Sequence, residues 1–142
     1  MTTVNDIFSL YEEYLSKAEK LERERKPGDG LLGMGKKPAD DPCHDEFAES
    51  LEQALDAFAE THPSADDVHK LLSYIYSAPA AHKDMLSIYW MLCAVQGLTL
   101  SLIPLLTPQA AKEIRSVYSD DFPRWERLPV QKQVWSALGK VK

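Results

Sequence analysis

Only two cysteines, Cys43 and Cys93, occur in 142 residues, and they form no C-x-x-C pair. That excludes a disulfide framework and the commoner cysteine-rich zinc sites. His44, His62, His69 and His82 belong to no H-E-x-x-H and no paired E-x-x-H pattern, so neither metal nor cofactor is expected. Charge of one sign is missing in blocks. Residues 38–69 hold ten acidic side chains and no Lys or Arg, and residues 85–111 carry no formal charge. Residues 112–142, with seven basic and four acidic, reverse the balance within a net charge of −6. An acidic chain repels phosphate backbones, which disfavours a nucleic acid partner. The opening stretch MTTVNDIFSLYEEYL is acidic and has no apolar core before a small-residue cleavage site. A secretory leader is therefore not expected, and the chain reads as cytoplasmic with free thiols.

At 44% apolar and 27% charged residues, the composition is that of a globular protein. A chain of this length forms one domain, here residues 1–142, and buries roughly 70% of the surface its unfolded form exposes. Val4, Ile7, Phe8, Tyr11, Leu15, Ala18 and Leu21 recur at helical spacing, with Thr3 and Asp6 as a capping box. Glu13 and Lys17, Glu19 and Arg23, and Glu22 and Lys26 stand at the favourable i, i+4 spacing before Pro27 and Gly28 end the helix. Asp41 and Pro42 open a second helix with Phe47, Leu51, Leu55 and Phe58 inward, running to about Glu60. His62 and Pro63 turn the chain. Ser64 and Asp67 then cap a third helix with Val68, Leu71, Leu72, Ile75 and Tyr76 inward, closed by Pro79. The short turn makes helices two and three an antiparallel pair. Thr107 and Pro108 start another helix with Ile114, Val117 and Tyr118 inward, and Pro129 starts a last one carrying Val130, Val134, Leu138 and Val141.

The uncharged stretch MLSIYWMLCAVQGLTLSLIPLL is long enough to raise the question of membrane association through residues 85–106. Ser87, Gln96, Gly97, Thr99, Ser101 and Pro104 interrupt it, and no basic cluster flanks it. It reads as the central buried helix, broken at Gly97, although Leu98, Leu100 and Leu102 alternate as a strand would. The fold expected is an all-α, single-domain bundle of about six helices, with a long glycine-rich loop over residues 27–41 between helices one and two.

Four of the six glycines fall in the stretch GDGLLGMGKK, which matches two phosphate-binding patterns. Gly28, Gly30 and Gly33 spell G-x-G-x-x-G, while Gly30, Gly35 and Lys36 spell G-x-x-x-x-G-K with Lys37 in place of the magnesium-binding Ser or Thr. Both patterns need a preceding buried strand, and here a charged helix and Pro27 precede them. What remains is a nest of Gly30, Gly33, Gly35, Lys36 and Lys37 near the start of helix two, opposed by Asp40 and Asp41. Cys43 lies in the first turn of that helix, where the dipole can lower a thiol pKa, and His44 follows it.

The leading expectation is a non-enzymatic helical protein-interaction module. It would act through the acidic outer face of helix two, with Glu49, Asp56 and Glu60, or through the loop FPRWERLP, where Trp125 lies between Arg124 and Arg127. No catalytic residue is assigned; a protein partner or self-association is expected, and a membrane partner is not. The alternative is a small-ligand or phosphate-binding protein, an enzyme included, that uses Lys36, Lys37, Cys43 and His44 of the 28–45 loop. A membrane-associated protein built on residues 85–106 is the third reading.

Overall fold

Thr3 donates its N–H to Asp6 Oδ2 at 2.8 Å, and Asp6 donates its own to Thr3 Oγ1 at 3.3 Å, so the first helix starts on the predicted reciprocal cap. The Thr3 backbone bond, helped by the hydroxyl, holds the Asp6 carboxyl below the usual range. In the computed structural model, which describes residues 3–24, 42–123, 125 and 127–141, six α-helices and no strand are found among the described residues. They are α1 (Val4–Glu24), α2 (Pro42–Glu60), α3 (Ala65–Ser77), α4 (Leu86–Ala94), α5 (Pro108–Asp121) and α6 (Pro129–Gly139). The chain is an all-α, single-domain bundle; the expected glycine-rich loop lies outside the described residues.

The remaining caps follow the sequence. Ser64 Oγ accepts from the Asp67 N–H and Thr107 Oγ1 from the Ala110 N–H, both at 3.1 Å. At α6 the Leu128 N–H is satisfied by Gln131 Oε1 at 2.8 Å, while Gln131 Nε2 lies 3.2 Å from the buried Cys93 Sγ. Glu13 and Lys17 meet at 3.3 Å, but both are solvated, so the pair contributes little. Glu19 lies 3.6 Å from His82 Nδ1, across the fold.

Helix pairing departs from expectation. Helix α2 packs chiefly against α1, not α3, because Phe47 stacks on Tyr14 at 4.1 Å and meets the edge of Tyr11 at 5.0 Å. Helix α3 lies instead against α5, and α5 against α6. Val117 is a second departure. Expected inward with Ile114 and Tyr118, it is 55% exposed, while those two are buried.

The uncharged segment is not one long helix. Helix α4 stops at Ala94, and the chain continues through the 3-10 turns Val95–Thr99 and Ile103–Leu105. Thr99 Oγ1 donates to the Gln96 carbonyl at 2.7 Å, competing with the backbone bond an α-helix would make there. Pro104 has no N–H to give. Gly97 serves close approach, since a Cβ there would stand 3.0 Å from Val130 Cγ2 of α6.

Two tyrosines tie this segment to its neighbours. Tyr118 O–H donates to Gln96 Oε1 at 2.7 Å. Because the Thr99 proton is committed to Gln96, Tyr76 must donate to Thr99 Oγ1, 2.6 Å away. All four residues are buried, and burial pushes both phenols well up. The equally buried Tyr11 hydroxyl has no partner among the described residues. Tyr118→Phe would orphan Gln96 Oε1 and is expected to cost about 1–3 kcal/mol, whereas Tyr11→Phe removes an unsatisfied group and is expected to be neutral or stabilising. Urea unfolding of the two variants checks this; equal losses would contradict it.

Candidate functional site

Where α3 and α5 run side by side, buried and exposed residues of both helices line a groove of about 250 Å³. Helix α3 supplies His69, Ser73, Tyr76 and Ser77, and α5 supplies Glu113, Ile114, Val117, Tyr118 and Asp121. The floor is apolar. The Tyr76 and Tyr118 rings meet at 5.3 Å and 71°, with their hydroxyls engaged beneath by Thr99 and Gln96. The rim is polar. His69 Nε2 lies 4.0 Å from Glu113 Oε2, and Gln109 Nε2 donates to Glu113 Oε1 at 3.2 Å. Ser77 Oγ is committed to the Ser73 and Tyr74 carbonyls at 2.8 and 3.2 Å. Burial raises the Asp121 carboxyl, with Lys83 opposing and Asp120 adding to the shift. At 250 Å³ the groove falls short of the roughly 300–1,000 Å³ of drug-sized ligand pockets and suits one large side chain.

Of the residues that the sequence grouped into a ligand site, the structure describes only Cys43 and His44. Gly30, Gly33, Gly35, Lys36 and Lys37 lie outside the described residues. Cys43 and His44 both sit in the first turn of α2 but face different surroundings. His44 is buried, its Nδ1 2.7 Å from the Tyr14 hydroxyl. Cys43 is half-buried and lines a cleft of about 90 Å³ with Leu10, Tyr14, Lys17 and Phe47, a cleft to which His44 does not contribute. The second thiol, Cys93, is sealed in the core, and burial pushes it up to about 11.

The Trp125 constellation is also divided. Trp125 is 84% exposed. Arg127 turns inward: its Nε donates to the Phe122 carbonyl at 2.8 Å, its Nη2 lies 3.3 Å from Ser119 Oγ, and its guanidinium rests 4.6 Å from the Trp135 ring. Arg115 covers the same ring at 3.5 Å. Arg124 lies outside the described residues. Glu49, Asp56 and Glu60 stand on the exposed side of α2.

No helix among the described residues is long and apolar enough to cross a membrane, and no group of three His, Cys, Asp or Glu there could hold a metal ion. Sequence reasoning missed the groove, because Val117 sits at a helical spacing normally read as core and the two walls are far apart in the chain. No family model, no curated protein and no solved structure matches the chain.

The raised Asp121 carboxyl has a definite sign for stability. A group whose pKa rises on folding contributes stability that is present below its unfolded pKa and is lost as pH climbs through the folded value. Asp121→Asn removes that loss, so the melting temperature of the variant minus that of the wild type should grow between about pH 3.5 and 6. A difference that is flat or shrinks over this window would contradict the desolvated setting.

Proposed function

We propose that this chain is a non-enzymatic helical interaction module that seats an apolar side chain of a protein partner in the groove between α3 and α5. The observation that carries the reading is Val117, an apolar residue 55% exposed in the wall of a cleft with an apolar floor and a polar rim. Apolar grooves with a polar rim are where partner anchors bind, and the rim of Glu113, His69 and Asp121 supplies polar contacts around such an anchor. The acidic balance argues against a nucleic acid partner. Two free thiols fit the reducing cytoplasm, where we place the protein.

The test is to pan a random peptide library against the purified protein and measure the winners again on Val117→Asp. Peptides with a large apolar or aromatic anchor are expected to be enriched and to lose at least about tenfold in affinity on the variant. No enrichment, or winners indifferent to Val117→Asp, would overturn the reading.

A further inference from the structure

We infer that the groove between α3 and α5 takes a basic peptide segment: an apolar side chain fills its centre, and a Lys or Arg of the same segment reaches Asp121 at one mouth. The inference rests on the groove being a docking surface and specifies the chemistry of its occupant.

The lining residues are in register. Glu113, Val117 and Asp121 follow one another at steps of four on α5, so they stack along one wall, as His69, Ser73 and Ser77 do on α3. His69 faces Glu113 at 4.0 Å and Tyr76 meets Tyr118 at 5.3 Å, pairings that set the two helices side by side in the same direction. At a rise of about 1.5 Å per residue, the exposed Val117 stands midway along a wall about 12 Å long, with a carboxylate about 6 Å to either side.

The two mouths differ in charge balance. At the first, Glu113 accepts from Gln109 Nε2 at 3.2 Å and faces His69, so its carboxylate is already engaged. At the second, the Asp121 carboxylate accepts no hydrogen bond and has no cation within 4.0 Å among the described residues. Burial raises its carboxyl and outweighs the attraction that Lys83 exerts from farther away, and Asp120 adds to the shift. Ser77 gives no relief, since its single hydroxyl proton is committed to the Ser73 and Tyr74 carbonyls. Ser77 and Asp121 are also the last residues of α3 and α5, so both helices bring the negative end of their dipoles to this mouth. A partly desolvated carboxylate beside two helix C-termini attracts a cation and repels an acidic side chain.

Spacing defines the segment. A charge about 6 Å from the anchor belongs to a basic residue three or four positions away in a helix, or two positions away in an extended chain. The groove volume is taken up by the anchor, so the basic group meets Asp121 at the partly solvated rim. Such a contact sets the preference among partners more than it adds to affinity.

Three pools of synthetic peptides of about twelve residues test the proposal, each with Trp fixed at the centre and the other positions random over Ala, Ser, Leu and one further residue: Lys, Gln or Glu in turn. Apparent affinities for the full chain, read by fluorescence anisotropy of the labelled pools at about pH 7, should rank Lys above Gln above Glu, with Lys ahead of Gln by about three- to tenfold. In Asp121→Asn that ratio should fall towards one. Glu49→Gln, which removes a charge from the exposed side of α2, should leave the ratio as in the wild type. Asp121→Asn takes away a carboxylate that burial disfavours, so its melting temperature should be no lower than that of the wild type, which separates lost contact from lost fold. A Lys pool no tighter than the Gln pool, a Lys advantage that survives Asp121→Asn, or one that falls equally in Glu49→Gln would overturn the proposal. In any of these cases, a Gln pool that binds and loses its binding on Val117→Asp leaves the docking surface standing without a basic partner; binding by no pool removes both.

Discussion

Everything in this fold is arranged around the burial of two polar residues, Gln96 and Thr99, in the middle of an uncharged apolar segment. A buried amide and hydroxyl without partners would cost several kcal/mol, comparable with a large part of the total stability of a small domain. Tyr118 from α5 donates to Gln96 Oε1 and Tyr76 from α3 to Thr99 Oγ1, which fixes both helices against the same 3-10 turn, while Gln96 Nε2 has no hydrogen-bond partner among the described residues. The hydroxyls point down into this network, so the rings are left as the floor of the groove above it. One set of hydrogen bonds therefore meets most of the core's polar demand and shapes a surface.

The opposite side of α5 is held by different means. Arg115 and Arg127 approach the Trp135 ring and bond to the Trp135 and Phe122 carbonyls, so two guanidiniums are used as packing and capping groups in the seam with α6. A Cβ at Gly139 would fall 2.8 Å from the Arg115 guanidinium, so the arginine lies close over the end of α6. This leaves Trp125, and not Arg127, as the exposed feature of the connecting loop.

How much of this could be read from residues alone depended on contrast. Thr3, Ser64, Thr107 and Pro129 marked helix starts because capping is local chemistry, and alternation of charge with apolar residues phased α1, α2 and α3 correctly. Residues 85–111 offered no such contrast. With every neighbour apolar or neutral, periodicity could not show where helix gives way to 3-10 turns, and Gln96 and Thr99 read as interruptions when they are the points of attachment. His44 was taken for a ligand candidate, and its partner Tyr14 lay outside the inner stripe assigned to α1, because a contact between residues thirty apart leaves no local pattern. The pairing of α1 with α2, and of α3 with α5, was equally illegible: which stripe meets which is decided by shape, and the groove exists only once α3 and α5 are adjacent.

The central claim is that the Gln96–Thr99 turn and the two helices bonded to it form one cooperative unit. Native-state amide hydrogen exchange measures this directly. The amides of Val95–Thr99 should exchange with the same opening free energy as the middles of α3 and α5, equal to that of global unfolding. Exchange of that turn through a local opening well below the global value, with α3 and α5 still protected, would contradict the account.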